Sequence, residues 1–476
     1  MKGFPGIFRR AWPLLLAAGA AWIQPGRVSA APAPSLLATY NRAVLEPQVR
    51  ADRHRHMDTP ATIARLRLLH AGTYFCPVRS SVNWEDLRDE FLPAAAAAGI
   101  DVWVYLLPPT ESKADAMTFG HDFIRWAAEI ARLSQRYPNL KGFSIDDFAY
   151  NLSLFTPDYA ARMREAARAV NPAIKFYPLL YWKSFGPEFL DTYSPVIDGV
   201  IFAYRDEPTV NTSRVGAIRS QLSATERMLA ARGQPLVLMV YCWPLDRIPI
   251  PPGVEYVRQI VGLGLDDLRD GTLAGVVTYC LPLDGQPADA AQNYAHGGNG
   301  RATLLASGVK VPVGSFGEVS CSAVPGTGPR RLGFWQTATS QKLSPGCCYL
   351  QVLADDAVVW ERDAAIGPAK VWQHETVELG AVMAGSQPRV LRFRLAVKGA
   401  APSLVVTGGF DDLEPEGFTV ADPGFEAASG WQLRQNHPAL MPTVQTFDPG
   451  RPVQMFEAVR ELYGRAQRNL ADSGSK

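Results

Sequence analysis

Residues 142 to 148 read GFSIDDF, an apolar run that ends in two adjacent carboxylates, Asp146 and Asp147. A short buried strand that terminates in acidic side chains is what a (β/α)8 barrel presents at the mouth where its enzymes work. Side chains alternate along a strand, so bulky Phe143 and Ile145 are expected to face a helical layer, and Ser144, Asp146 and Phe148 the barrel axis or its mouth. Asp147 falls where strand becomes loop. Carboxyl groups so placed act as acids, bases or nucleophiles. Cleavage of a glycosidic bond needs two of them on opposite sides of the bond, about 5 to 9.5 Å apart. Sequence neighbours do not easily flank one bond, so the partner of Asp146 is expected from another strand end, where Asp206 and Glu207 are the best placed. Arg205 beside them is suited to tuning a carboxylate or holding a hydroxyl.

Aromatic residues gather at the other strand ends. Trp103, Tyr105, Phe148, Tyr181, Trp182, Tyr204, Trp243 and Tyr279, together with Arg205, are the candidate substrate-binding groups. Flat apolar rings beside acidic and amide groups suit a sugar, whose C–H face stacks while its hydroxyls hydrogen-bond.

The elements that must position these groups follow from the texture of residues 36 to 306. Nearly continuous apolar runs at 36–44, 73–78, 101–109, 140–148, 173–181, 197–204, 235–243 and 273–282 read as strands buried on both faces. Stretches with helical periodicity separate them, which implies parallel crossovers and a (β/α)8 barrel of eight strands. Gly142, Gly199 and Gly275 recur at the same offset before strands four, six and eight, where glycine permits a tight turn from the preceding helix. An open doubly wound sheet is the alternative, but it usually carries a Gly-rich phosphate loop after an early strand, and none is present. After Gly308 the chain is dense in Gly, Pro, Ser and Thr with short alternating runs, and 309–450 reads as an antiparallel β-sandwich. Residues 453–470 then read as a closing helix.

On these residues the chain resembles the (β/α)8-barrel glycoside hydrolases that carry a C-terminal β-sandwich. Within that group the acidic end of strand four and the Tyr204-Arg205-Asp206 end of strand six are similar to family 18 chitinases. That family's strand-four pattern ends in a catalytic Glu, whereas this chain has Ser144, Asp146 and Phe148 in register. A chitinase mechanism is therefore not expected, and an aspartate-based glycosidase, as in the α-galactosidase-like barrels, stays open. The missing Glu also motivates a second reading, a carbohydrate-binding surface protein whose barrel has lost turnover.

Composition bounds the rest. Among 476 residues, 47 Lys plus Arg nearly cancel 46 Asp plus Glu, so no global field favours nucleic acid, and a neutral glycan is the expected partner. Lys2, Arg9 and Arg10, the apolar run from Ala11 to Trp22 and the small Val28-Ser29-Ala30 read as a signal peptide over residues 1–30, implying a secreted or periplasmic protein with no other membrane contact. Export permits disulfides among the six cysteines, with bridges expected within each half of the chain. His54, His56 and His70 lack acidic partners at predicted strand ends, so neither metal nor other cofactor is expected. Asn151 and Asn211 match glycosylation acceptors. No nucleophile turn of an esterase appears.

Overall fold

The computed structural model describes residues 36–41, 43–205, 212, 214–243, 252–284, 294–341, 343–427 and 429–474. Its first layer is a parallel sheet built from β1 (Leu36–Tyr40), β2 (Thr73–Val78), β3 (Asp101–Leu106), β4 (Leu140–Ile145), β5 (Lys175–Phe176), β6 (Leu179–Leu180), β7 (Val200–Ala203), β8 (Leu236–Tyr241) and β9 (Gly275–Tyr279). The hydrogen-bonded order is β5-β4-β3-β2-β1-β9-β8-β7-β6. The two ends of that path are one strand, interrupted at Tyr177-Pro178. Tyr177 N donates to Phe143 O at 3.1 Å on one side, and Ile201 N donates to Pro178 O at 3.0 Å on the other. The sheet therefore closes into an eight-stranded barrel, and the open-sheet alternative is excluded.

Every strand is followed by helix. Thr59–Leu68 (α1) starts on Asp58, whose carboxylate accepts from Ala61 N at 2.9 Å. A stretch containing α2 (Ser81–Glu85) and α3 (Leu92–Ala97) follows β2. The next crossover helices are α4 (Phe123–Arg136), capped by Asp122, and α5 (Pro157–Val170), capped by Thr156. Three more are α6 (Pro187–Tyr193), α7 (Ile218–Ala230) and α8 (Val254–Arg269). At α1, α4 and α5 the side-chain oxygens of Asp58, Asp122 and Thr156 satisfy N–H groups that the helix itself leaves open. Two separate apolar cores result. One lies between sheet and helices and holds Phe143, Ile145, Trp126 and Cys76; the other fills the barrel with Trp103, Tyr105, Tyr177 and Met239.

The repeated glycines serve the second core, and here the expected turn role is corrected. None of the three has a positive φ. A Cβ on Gly142 would lie 2.6 Å from the Trp103 ring, one on Gly199 2.7 Å from the Tyr177 ring, and one on Gly275 2.5 Å from Leu36 Cβ. Even-numbered barrel strands thus lose a side chain where odd-numbered strands insert a bulky one, the layered filling that closes a barrel interior.

The second body is a β-sandwich. One sheet has the order β15-β12-β17-β10-β20 and the other β14-β13-β16-β11-β18, with β19 paired to β11. The strands are β10 (Gly300–Val309), β11 (Phe316–Pro325), β12 (Arg331–Ser340), β13 (Cys348–Ala354), β14 (Ala357–Asp363), β15 (Gln373–Glu378), β16 (Arg389–Val397), β17 (Ser403–Glu416), β18 (Phe418–Thr419), β19 (Gln432–Gln435) and β20 (Leu440–Thr446). Phe334, Leu350, Phe393 and Phe410 fill the space between sheets. The expected start at residue 309 is corrected, because Gly300 to Ala306 already pair with β20 and the composition break at Gly308 lies inside β10.

The last helix changes the domain plan. Arg451–Gly474 (α9) returns to the barrel, where Met455, Phe456, Val459, Leu462 and Tyr463 enter the core between sheet and helices. The Tyr463 hydroxyl donates to Ala38 O at 2.8 Å and Val276 O at 3.1 Å, bridging β1 and β9. α9 is therefore the eighth barrel helix, and the sandwich is an insertion between the eighth strand and its helix. Its ends meet: Gly300 opposes Thr446, and Phe447 N donates to Asn299 O at 2.7 Å.

The six cysteines form no disulfide in the described residues. Cys76 and Cys242 pack in the layer under the helices and Cys321, Cys347 and Cys348 in the sandwich core, so burial as small apolar groups replaces the expected bridges. No helix among the described residues is long and apolar enough to cross a membrane.

Candidate active site

The end of β4 is built to hold one carboxyl still. Asp146 N donates to Leu106 O at 3.0 Å, extending the ladder with β3 by one residue. Asp147 then takes a left-handed φ of 44°, a conformation that Asp tolerates better than bulky residues. Its N–H turns back onto Asp146 Oδ1 at 2.8 Å. Asn151 Nδ2 fixes the turn by donating to Asp147 O and Thr110 Oγ1, both at 3.0 Å. Asn151 is consequently buried, which removes it as a glycosylation acceptor.

Asp146 is 3% exposed. Burial raises its pKa well above the ordinary carboxylate value, and the charges of Glu111 and Asp147 raise it further. Nearby Tyr105 and the Asp147 N–H oppose this by favouring the ionised form. The Tyr105 hydroxyl is buried and has no partner in full hydrogen-bonding geometry among the described residues. The net result is a carboxyl that keeps its proton at pH values where an ordinary Asp has lost it.

Around it runs an arc of tyrosines from five strand ends. Tyr105 and Tyr40 have ring centroids 4.2 Å apart, Tyr40 stacks on Tyr279 at 4.7 Å, and Tyr279 meets Tyr241 at 4.7 Å. Tyr241 Oη donates to Tyr181 Oη at 3.5 Å. Tyr181 in turn stacks on Tyr150 and carries the Arg205 guanidinium 3.5 Å above its ring. Arg205 Nη2 donates to Tyr150 Oη at 3.0 Å. On the opposite side Arg79, just past β2, donates from Nη2 to Tyr40 Oη at 3.0 Å. Burial raises the Tyr40 pKa while Arg79 and its hydrogen bond act against that rise, so this phenol stays protonated.

Of the residues singled out in the sequence, Asp146, Asp147, Tyr105, Tyr181, Arg205 and Tyr279 come together here. Phe148 does not. The left-handed turn at Asp147 breaks the alternation, and Phe148 stacks on Phe155 at 4.8 Å within the core under the helices. Tyr204 is buried in that core too, its hydroxyl donating to Arg214 O at 3.1 Å. Trp182, half-buried in a 3₁₀ turn, packs against the same core. Trp103 is interior filling beneath the mouth, stacked on Phe75 at 5.4 Å and tilted against Tyr177 at 4.7 Å. Trp243 is half-buried two residues past β8. Asp206 and Glu207 lie outside the described residues.

Tyr40, Arg79, Glu111 and Tyr241 are members of the constellation that sequence reasoning missed. Glu111 had a legible signal, since it sits in the turn after β3 as Asp147 does after β4. Among the described residues no group of three or more His, Cys, Asp or Glu could hold a metal ion.

No family model matches the chain, and no curated protein matches it. Solved structures of similar fold include a glucosidase from Croceicoccus marinus, at 10% identity, 76% of this chain, 96% of that one and a TM-score of 0.38. A β-glucuronidase from Bacteroides uniformis is 9% identical over 79% of this chain, with a TM-score of 0.42, and the match spans 65% of its length. An HpcH/HpaI aldolase from Desulfitobacterium hafniense is 10% identical over 52% of this chain and 86% of that one, with a TM-score of 0.33. Glycoside hydrolases are thus among the structures this chain is similar to, and at these TM-scores the likeness bears on neither substrate nor catalytic groups.

Proposed function

We propose that the protein is a glycoside hydrolase acting on a neutral glycan, with Asp146 as general acid, Glu111 or one of Asp206 and Glu207 as the carboxylate that works opposite it, and Asp147 orienting the substrate or its neighbour. The observation that carries this reading is the Asp146 carboxyl, buried at a barrel strand end and biased towards its protonated form beside two further carboxylates. A carboxyl biased towards its protonated form suits the proton donor of such a pair, with the second carboxylate as base or nucleophile. Tyr150 and Tyr279, the members of the arc that keep accessible surface, offer ring faces for sugar C–H groups and hydroxyls for sugar oxygens, and Arg79 and Arg205 close the two ends of the arc. Export rests on the basic, apolar and small-residue order of the first thirty residues.

Release of reducing sugar from a panel of neutral glycans and aryl glycosides is the test. Asp146→Asn is expected to slow turnover by about 10² to 10⁴-fold. Glu111→Gln, Asp206→Asn and Glu207→Gln identify the second group, and Asp147→Asn tests the orienting role. Sugar binding without turnover on any substrate would leave the protein a carbohydrate-binding barrel and overturn the hydrolase reading.

A further inference from the structure

The segment Glu461 to Arg468 of α9 reads ELYGRAQR. Helical spacing puts Glu461, Gly464, Arg465 and Arg468 on one face, while Leu462 and Tyr463 turn into the barrel. That face lines an open surface groove of about 500 Å³ together with Arg258 of α8, Arg460 and His70 of the α1–β2 turn. Gly464 forms its floor: a Cβ there would lie 3.0 and 3.1 Å from His70 ring atoms. Two of the four guanidinium groups are matched, Arg258 by Glu461 at 2.8 Å and Arg460 by Glu457 at 2.6 Å. Arg465 and Arg468 are exposed and make no ion pair or hydrogen bond among the described residues.

We propose that this groove binds a phosphate- or sulfate-bearing small molecule. Guanidinium forks suit oxyanions that accept several hydrogen bonds at once, and the like charges of Arg465 and Arg468 at i and i+3 share this face with a single lining carboxylate, Glu461, which already pairs with Arg258. A volume of about 500 Å³ falls in the range of small-molecule sites, beyond what a bare ion fills. The lining comes from α8, α9 and the α1–β2 turn, and none of it from a strand end, so the site is separate from Asp146.

Calorimetric titration of the full chain with pyrophosphate at low salt tests the assignment. Saturable one-to-one binding is expected, weakened by about 10-fold or more in Arg465→Gln/Arg468→Gln and unchanged in Asp146→Asn. Gln keeps helix propensity, and a matching thermal melt verifies the fold. Absence of saturable binding, or equal affinity in the double variant, overturns the proposal. Attachment to phosphoinositide-containing vesicles that pyrophosphate fails to displace would also overturn it, since the basic face would then serve a membrane surface.

Discussion

Replacing Tyr463 asks whether α9 is a structural part of the barrel or an appended tail. The side chain is fully buried, its ring packed in the core under the helices and its hydroxyl shared between Ala38 O and Val276 O. Tyr463→Phe keeps the packing and removes the donor, at a cost of about 0.5–1.5 kcal/mol. Tyr463→Ala also leaves a cavity between β1 and β9, and truncation of a buried aromatic costs about 3–5 kcal/mol. For a domain of barrel size each kcal/mol lowers Tm by roughly 2–4 °C, so the barrel transition should fall by roughly 6–20 °C with Ala and by a few degrees with Phe. Scanning calorimetry of the intact chain reads both shifts. A Tm for Tyr463→Ala within about 1 °C of wild type, as substitutions on a loosely docked helix give, would refute the placement of α9 as the eighth helix.

Because Asn299 and Phe447 are hydrogen-bonded neighbours, replacing residues 300–446 with a short Gly-Ser link is expected to leave a folded, soluble barrel, whereas a chain ending at residue 299 loses α9 and aggregates; circular dichroism and size-exclusion chromatography distinguish them. Asp146→Asn is expected to stabilise the fold at neutral pH. A buried acid whose folded pKa is raised contributes fully below the ordinary Asp pKa, about 3.9, and loses that contribution as pH climbs through the folded value, so denaturation midpoints of variant and wild type should converge near pH 4 and separate at pH 7.5. His56 should act in the same pH direction: burial lowers its pKa, but Asp86 at 2.6 Å and Asp52 at 2.8 Å raise it more, so stability is lost as pH rises past the raised value, and His56→Gln should flatten that slope in urea midpoints from pH 6 to 9. Asp411, buried and raised to about 7, should add a further loss between about pH 4 and 7 that Asp411→Asn removes.

The alternation of apolar runs with helical periodicity was enough to define the barrel, because strands buried on both faces have few polar positions and parallel pairing demands a crossover of helix length. The end of β4 was legible for the same reason: Phe143 and Ile145 face the helices as period two requires, and Asp146 is left at the mouth. Period two failed one residue later, where the left-handed Asp147 turned Phe148 into the core, since a local dihedral is set by the Asn151 and Leu106 contacts and not by composition. Aromatic type could not separate Tyr105 and Tyr181 at the mouth from Trp103 below it and Tyr204 behind it, because all four are buried and only barrel closure decides which face each one lines. The glycine repeat was visible as a pattern, but its cause is contact with Trp103, Tyr177 and Leu36 from strands distant in sequence. Glu111 came near enough to raise the Asp146 pKa, and α9 became the eighth helix, only through closure of the chain in space: a carboxylate acts over a few ångströms and a helix docks where apolar surface is left open, and neither distance is written along the sequence.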